Sequence, residues 1–335
     1  MRNKSKPTLR DVAKQAGVSH QTVSRVINQH ERVSPETRAR VTDAIAKLGF
    51  SPNAIARSMA QGRAQTLACL SPNLTDYTFA SIIEGAEAEG RQLNYFLLSS
   101  SVKDGEQFQS IAADLVASRR VDGILVINPF ADDRHLYLPK AFPLTFVGTH
   151  VRAEKISSVG LDDESAANAA TQHLLDCGHR QIAMVSGPHA EDCVQDRRAG
   201  YEAALRAAGL EPNPAWVYEG DWSASSGYQA LTQLLRSNGR PTAVFAQNDR
   251  MAIGLLRAAR DAGLNVPEQL AVIGFDDMPL SAYFDPPLTT MRQDMEAIGR
   301  EAVRLLIHAV QEPDTPPEHL RFPSQLVVRQ STRLS

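Results

Sequence analysis

Beyond residue 65 the chain alternates short apolar segments with longer amphipathic ones, and this alternation constrains the fold more than any other sequence feature. Short apolar runs are typical of buried strands, whereas apolar residues at i, i+3 and i+4 indicate helices. The alternation predicts α/β architecture with doubly wound parallel sheets. The predicted strands are 67–70, 95–99, 123–127, 144–147, 182–185, 216–219, 243–246 and 271–274, and the clearest helices are 80–91, 105–118, 164–177, 197–208, 225–237 and 250–262.

Two sets of about four strands predict two lobes, and in such folds small ligands bind beyond the carboxyl ends of the strands. A length of 335 residues also favours more than one domain. No apolar run reaches the ~18 residues of a membrane span, and the N-terminal residues MRNKSKPTLRD contain no apolar signal segment. The sequence therefore predicts a cytoplasmic protein without a membrane partner.

Residues 8–28, TLRDVAKQAGVSHQTVSRVIN, predict two short helices joined by a sharp turn. Thr8 and Asp11 form a capping box at the first helix. Gly17 supplies the left-handed conformation that such a turn needs, and Ser19 is a candidate N-cap of the second helix.

A third helix is predicted between Ser34-Pro35 and Gly49. Three short helices with a sharp first turn predict a helix-turn-helix domain, whose second helix enters the DNA major groove. A small structural bundle is the alternative.

Charge divides the chain at the same place. Residues 1–63 carry twelve Lys or Arg against four Asp or Glu, whereas the remainder carries 23 against 34. A basic head on an acidic body indicates that phosphate binding is confined to one end of the chain.

The segment 51–62, SPNAIARSMAQG, connects the two parts. Pro52 ends the preceding helix and Asn53 can cap a new one, but 53–60 would be too short to be stable alone. Met59 is its large apolar side chain, and such wedges enter the DNA minor groove. A plain linker, with Met59 packed on the body, is the alternative.

Neither a metal site nor a cofactor is predicted. Cys69, Cys177 and Cys193 are few for a disulfide framework. His173 and His179 lie near Cys177, but the end of a helix and the start of a strand explain that spacing, and no fourth ligand is suggested. Phosphate-binding loops, dinucleotide fingerprints and G-x-S-x-G elbows are also missing from the sequence, which argues against an enzyme.

An ordered set of motifs resembles the lactose-repressor/galactose-repressor (LacI/GalR) family of bacterial transcription regulators over essentially the whole chain. The motifs are LRDVAKQAGVSHQTVSRVIN, SPNAIARSMA, GHRQIAMVSGP, RRAGYEAAL, EGDWSASSGY, QNDRMAIG, VIGFDDMPLSAYFDPPLTTMRQD and LVVRQST. The resemblance implies an all-α helix-turn-helix domain (1–50), a hinge (51–63) and a periplasmic-binding-protein-like core (64–335). It divides the core into an N-lobe of about 64–160 plus 292–322 and a C-lobe of about 161–291 plus 323–335.

By the same resemblance, the first residues of the second helix read DNA bases. Gln suits adenine and Arg suits guanine, which favours base contacts by Gln21 and Arg25 beside His20. His20 departs from the tyrosine of the best-known family member, so that member's operator sequence does not transfer. The expected DNA contacts are Ser19, His20, Gln21, Thr22, Ser24, Arg25, Asn28 and Thr37, and the expected minor-groove contacts are Asn53, Ala56 and Met59.

The resemblance also implies an effector site in the cleft between the lobes. The expected ligand-binding residues are Pro72, Asn73, Arg197, Trp222, Asn248 and Asp276. Arg and Asp can serve the same polyol hydroxyls, and Trp222 offers an apolar face for a sugar ring, with simple packing as the alternative. Gly148 and Cys193 depart from an aspartate and a serine that bind galactosides in the family, so a different sugar is expected.

These expectations combine into a ligand-controlled transcriptional repressor. A homodimer would bind near-palindromic double-stranded operator DNA in the nucleoid, and a mono- or disaccharide would act as inducer. A purine- or nucleoside-type corepressor is the alternative. A dimer is expected because the C-terminus contains no leucine heptad that could join two dimers.

Overall fold

The computed structural model describes residues 7–27, 32–50, 63–130, 134–137, 142–148, 150–151, 154–236 and 240–332. The chain divides into two compact units, Met1–Ala64 and Gln65–Ser335. The described residues of the first unit form three helices, α1 (Leu9–Ala16), α2 (His20–Ile27) and α3 (Pro35–Leu48). They pack around a small apolar core whose centre is Val12, Val23 and Val41, all fully buried.

The turn between α1 and α2 has the predicted chemistry. The Thr8–Asp11 capping box is present at the start of α1. Gly17 adopts φ +64°, and the Val18 amide donates to the Ala13 carbonyl at 3.1 Å. The Arg40 guanidinium of α3 donates to the Ala16 carbonyl at 2.5 Å, so the third helix fixes the turn from outside. The prediction of a helix-turn-helix unit is therefore confirmed.

The second unit contains two six-stranded sheets, one in each lobe. The first sheet has the order β11-β5-β4-β3-β1-β2, with all strands parallel. Its strands are β1 (Thr66–Ser71), β2 (Phe96–Ser101), β3 (Gly123–Ile127), β4 (Leu144–Val147), β5 (Ser157–Leu161) and β11 (His319–Phe322). Helices α4 (Tyr77–Gln92) and α10 (Met295–Gln311) cover one face, and α5 (Gly105–Ala117) covers the other.

The second sheet has the order β12-β10-β9-β8-β6-β7 and is parallel except for its edge strand β12. Its strands are β6 (Ile182–Ser186), β7 (Val217–Glu219), β8 (Ala243–Ala246), β9 (Ala271–Asp276), β10 (Thr289–Arg292) and β12 (Gln325–Val327). Helices α6 (Asp163–Asp176) and α7 (Asp192–Ala207) cover one face, and α8 (Ala224–Leu234) and α9 (Asp249–Asp261) cover the other. The predicted doubly wound architecture is confirmed.

The chain crosses between the two lobes after β5, after β10 and after β11. Four strands, β5, β10, β11 and β12, were not among those predicted from apolar runs. Their sequences are SSVGL, TTMR, HLRF and QLV, in which polar residues or short length interrupt the apolar pattern. The crossings nevertheless bring the carboxyl ends of both parallel sheets to one cleft, which is where the functional residues lie.

Candidate functional sites: a recognition helix and an interlobe cavity

The second helix of the first unit divides cleanly into two sides. His20, Gln21 and Arg25 are exposed, whereas Val23 and Val26 are buried against α1 and α3. A helix whose buried side is fixed by a core presents its remaining side chains in a defined order along the surface. The three residues expected to read bases thus share one accessible side of α2.

Hydroxyl side chains hold the helix starts beside that surface. The Thr22 amide donates to Ser19 Oγ at 3.1 Å, and the Thr37 amide donates to Ser34 Oγ at 3.3 Å. Ser19 and Thr37 are therefore engaged in helix capping, as is the half-buried Thr22, whose hydroxyl lies 2.9 Å from Ser19 Oγ. Ser24 is half-buried. Asn28 and the hinge residues Asn53, Ala56 and Met59 lie outside the described residues.

A cavity of about 300 Å³ lies between the two lobes of the second unit. All six residues expected to bind the effector line it, so the fold brings together side chains that are up to two hundred positions apart in sequence. The wall consists of Pro72, Asn73, Thr75, Asp76, Thr78, Phe79, Pro129, Phe130, Glu191, Cys193, Arg197, Asp221, Trp222, Asn248, Arg250 and Asp276. Both lobes contribute to it.

Arg197 on α7 is the buried cation of this wall. Its Nε donates to Asp163 Oδ1 and its Nη1 to the Gln247 carbonyl, both at 2.6 Å, and its guanidinium lies 3.7 Å from the centre of the Phe275 ring. Burial alone would lower the pKa of Arg197, but the attraction of Asp163 outweighs it and the pKa is raised. Arg197 is thus a fixed, permanently charged donor, since its partners hold its plane in place.

Asp276 ends β9 in an unusual conformation. Its φ is +117° and that of Asp277 is +54°, in a region that residues other than glycine seldom adopt. Gln293 Nε2 donates to Asp276 Oδ1 at 2.7 Å. Asp277 Oδ1 and Oδ2 accept from Arg329 and Arg292, each at 2.6 Å. These contacts stabilise the backbone turn at which Asp276 lines the cavity.

The buried carboxyl group of Asp249 stabilises the turn that contains Asp276 and Asp277. Asp249 accepts hydrogen bonds from the Met278 amide at 2.9 Å, from Thr290 Oγ1 at 2.6 Å and from Ser281 Oγ. Burial raises the pKa of Asp249 to about 6. Burial, and then the neighbouring Asp249, also raise the pKa of Asp276 well above its usual range. Perturbed carboxyls that face a cavity are typical of binding sites.

Trp222 forms a flat part of the wall and has φ +67°. A Cβ on Gly187 would lie 2.1 Å from the Trp222 ring, so only glycine permits this ring position. Trp222 Nε1 donates to Glu191 Oε1 at 3.0 Å. Asn248 holds the same segment, because its Nδ2 donates to the Trp222 carbonyl at 3.1 Å while its Oδ1 caps α9 through the Met251 amide at 2.8 Å. Asn248 is therefore a positioning residue as much as a candidate ligand contact.

Several residues of the cavity wall were not predicted from the sequence, among them Asp76, Glu191 and Arg250. Asp76 caps α4 from the first lobe and accepts from Arg250 on α9 of the second lobe, so this ion pair spans the cleft. Glu191 begins α7. The signal that could have found them is their position directly after strand ends, where ligands bind in doubly wound folds.

The backbone around Gly148 leaves no room for a larger side chain. A Cβ at this position would lie 2.7 Å from the Asn128 carbonyl oxygen, so a larger side chain would require a backbone shift. Gly148 and Cys193 instead line an apolar recess of about 90 Å³ that shares Phe79, Pro129 and Arg197 with the main cavity.

Metal and membrane roles have no structural counterpart within the described ranges. No group of three or more His, Cys, Asp or Glu there is arranged to hold a metal ion. His173 Nε2 lies 2.8 Å from Thr332 Oγ1, and His179 Nδ1 lies 3.0 Å from Thr242 Oγ1. Among the helices in those same ranges, none is both long and apolar enough to cross a bilayer.

A helix-turn-helix unit in the same chain as a two-lobed core with a cleft cavity defines a DNA-binding regulator with a ligand-binding domain. Residues 8–53 match the family of bacterial regulatory proteins called the lacI family, and residues 171–332 match the periplasmic binding protein-like domain. The chain belongs to the lacI family, and it is a DNA-binding transcriptional repressor with a ligand-binding core.

Similar proteins extend over nearly the whole chain. Catabolite control protein A of Priestia megaterium is 34% identical over 97% of this chain and 99% of its own. The structure of the lac repressor dimer bound to operator and the anti-inducer ONPF is 32% identical, covers 98% of this chain and 99% of its own, and has a TM-score of 0.89. The complex of the transcriptional regulator CelR with cellobiose is 33% identical, covers 97% and 99%, and has a TM-score of 0.75. These relatives are transcriptional regulators.

Proposed function

We propose that the interlobe cavity binds a mono- or disaccharide that controls the affinity of this repressor for its operator. The observation that carries the proposal is the joint placement of Arg197, Trp222 and Asp276 on one cavity of about 300 Å³. A fixed cation, a flat aromatic surface and a carboxyl group suit the hydroxyls and the apolar face of a sugar ring. The similarity to a regulator solved with cellobiose supports the same ligand class.

On the DNA side, His20, Gln21 and Arg25 are proposed to read base edges, and Ser19, Thr22, Ser24, Asn28 and Thr37 to contact phosphates or position the helix. Asn53, Ala56 and Met59 are proposed to enter the minor groove as part of a hinge. The protein would act in the cytoplasm, on the nucleoid.

A homodimer on a near-palindromic operator fits both the solved dimer of the lac repressor and the surface of this chain. Phe96 and Leu98 lie exposed on the edge strand β2, at 75% and 49% of their full surface. Leu280 and Tyr283 are exposed in the second lobe, at 60% and 84%. Large apolar side chains grouped at a sheet edge and on a neighbouring lobe are typical of interfaces.

The proposed control is induction. A ligand in the cleft would favour an arrangement of the two lobes in which the hinge segments of the dimer cannot pair on the operator. Thermodynamic linkage then requires that the operator weaken sugar binding by the same factor by which the sugar weakens operator binding. A corepressor of the purine or nucleoside type is the second candidate, because an aromatic wall also suits a flat base.

Titration of the full-length protein against a palindromic site selected from random DNA tests the proposal. A sugar that stabilises the protein should weaken DNA binding by about 5- to 150-fold, the usual range of allosteric coupling. Tighter DNA binding in the presence of that sugar would show that the sugar is a corepressor and would refute induction. Unchanged DNA binding in the presence of bound ligand would refute ligand control.

A further inference from the structure

The ionisable side chains of the cavity wall are mostly acidic. Among the described residues, four carboxyl groups line the main cavity, and the cations beside them are two arginines, without a lysine. The carboxyl groups are those of Asp76, Glu191, Asp221 and Asp276, and the arginines are Arg197 and Arg250. The balance between them therefore decides which ligand charges the cavity can accept.

Both arginines already have acidic protein partners. Arg197 is bonded to Asp163, which is 1% exposed, and Arg250 is bonded to Asp76 across the cleft. A ligand anion that approached either arginine would have to share it with a carboxylate already in contact. After these pairs are formed, no described cation of the wall is left to balance an incoming negative charge.

The remaining carboxyl groups make an anion still less favourable. Burial raises the pKa of Glu191, and burial followed by the neighbouring Asp249 raises that of Asp276. The same desolvation would disfavour a ligand anion at these places unless a cation balanced it. Hydrogen bonds from Ser223 lower the pKa of Asp221, so this group stays ionised at neutral pH. Phosphate would add about −1.5 to −2 charges beside them.

Helix N-termini are the usual alternative site for a phosphate, because their free amides and dipoles favour anions. Here those positions carry the protein's own acids. Asp76 caps α4 and accepts from the Thr78 amide at 3.0 Å. Glu191 is the N-cap residue of α7, and Asp249 is the first residue of α9 behind its cap Asn248. The starts of α4 and α9 are therefore already capped by the side chains of Asp76 and Asn248, and Glu191 stands at the start of α7 without making a capping hydrogen bond.

Hydrogen-bond acceptors predominate on the cavity wall. The carboxyl oxygens of Asp276, Glu191 and Asp221 line the cavity, while Gln293 donates to Asp276 without lining it. A ligand that supplies hydrogen-bond donors therefore suits this wall. Hydroxyl groups supply such donors without bringing charge.

We propose, on the basis of the ligand-binding function described above, that the cavity selects an uncharged, hydroxyl-rich ligand and rejects its phosphorylated and carboxylated forms. The adjoining recess is consistent with this choice, because most of its wall is apolar and Arg197, which it shares with the main cavity, is already paired with Asp163. Charge exclusion is thus a specificity device of this particular cavity.

Matched pairs of probes test the proposal on the full-length protein by thermal shift and calorimetry. The pairs are glucose and glucose 6-phosphate, galactose and galactose 1-phosphate, cellobiose and cellobionate, ribose and ribose 5-phosphate, and adenosine and AMP. At least one uncharged probe should bind, and its anionic partner should bind about 100-fold more weakly or not at all, as expected when an unpaired charge is buried. Equal or tighter binding of an anionic member would overturn the proposal, as would failure of every uncharged probe.

Two substitutions in the cavity wall test which residues cause the preference for the uncharged probe over the anionic one. Asp221→Asn removes the wall carboxylate that its hydrogen bonds keep ionised, and Asp76→Asn frees Arg250 from its acidic partner; each should reduce the penalty against the anionic probe about tenfold relative to its uncharged partner. Glu312→Gln removes an exposed carboxylate at the end of α10 and should leave the ratio unchanged. A ratio that stays the same in both cavity variants would refute the charge mechanism, whatever their stability.

The outcome is separable from that of the proposed function. An anionic sugar that binds and alters operator affinity would overturn charge exclusion and leave ligand control intact. An uncharged sugar that binds without altering operator affinity would refute ligand control and leave charge exclusion intact.

Discussion

Individual residues in the cleft are held by contacts that sequence proximity does not reveal. Asp276 and Asp277 are adjacent in the chain, yet the first faces the cavity and the second is bound by two arginines. The positive φ values of both residues are the backbone consequence of that division. Asp276 was predicted from its motif, whereas Gln293 and Asp249, which orient and support it, were not.

The Arg197–Asp163 pair leads to a stability prediction. Arg197→Ala leaves Asp163 buried without its cation, and we expect the free energy of unfolding to fall by about 3–5 kcal/mol. In the double variant Arg197→Ala, Asp163→Ala the loss should be clearly smaller than the sum of the two single losses, because the orphaned charge is gone. Urea denaturation measures all four proteins. Additive losses would show that the pair is not coupled.

The raised pKa of Asp249 predicts a pH dependence. The folded-state pKa of about 6 lies above the unfolded value of 3.8, so the folded protein binds more protons between these values. Stability from this group is therefore fully present below pH 3.8 and is lost as the pH rises towards 6. Other carboxyl groups, such as Asp221 with its lowered pKa, act in the opposite direction, so the test is a difference: across this window the unfolding free energy of the native protein should decrease relative to that of Asp249→Asn. An identical slope in both would contradict the assignment.

At the scale of single elements, local sequence signals were strong wherever backbone geometry demanded a particular residue. The Thr8–Asp11 capping box and the Gly17 turn follow from neighbours only a few positions away. The strands β10 and β12 depend instead on partners far along the chain, since Thr290 pairs with Val327 and also with Gly274. The residues of these two strands do not by themselves indicate which distant strands they pair with.

Gly17 and Gly49, both left-handed glycines in the described part of the first unit, provide a matched test. A Cβ on Gly17 would meet Arg40 Nη2 at 2.9 Å, whereas one on Gly49 would meet nothing within 4 Å. Both substitutions to alanine incur the strain of positive φ, about 1–2 kcal/mol, but Gly17→Ala must also displace the arginine that holds the turn. We expect Gly17→Ala to lower the unfolding temperature of the helix-turn-helix unit more than Gly49→Ala, measured by calorimetry. The reverse order would show that Arg40 yields without cost.

In the second unit, the two lobes are linked across the cleft by polar side-chain contacts as well as by three chain crossings. Asp76 and Arg250 join α4 to α9, and His150 in the first lobe lies 2.9 Å from Asp196 on α7 of the second. Such contacts add little stability when half exposed, but they favour one lobe arrangement over others.

Arg250→Ala should therefore affect ligand binding more than folding. We expect a stability loss of no more than about 1 kcal/mol, since 38% of the side-chain surface is exposed. Sugar binding should weaken several-fold, because Asp76 loses its partner at the cavity wall. Arg257→Ala is the control, as this arginine pairs with Asp261 on the same helix and away from the wall. Equal binding by both variants would remove Arg250 from the site.

The proposed dimer leads to a test on the whole molecule. Phe96→Asp places a charge on the exposed edge of β2, where burial against a second copy would be costly. Sedimentation at micromolar concentration should show a dimer for the native chain and a shift towards monomer for the variant. Circular dichroism should show unchanged folding. A native monomer, or a variant that dimerises equally well, would place the interface elsewhere.

The helix-turn-helix unit, the doubly wound sheets and the family could all be predicted from the order of residues. Caps, left-handed turns and apolar periodicity are local, so they can be recognised from neighbouring residues. The polar strands at the crossings, the Asp76–Arg250 ion pair across the cleft and the acidic balance of the cavity became visible only in the folded structure. Those features depend on which distant side chains become buried together. The free energy of a buried charge depends on its partners and on its desolvation, and both exist only in the folded chain.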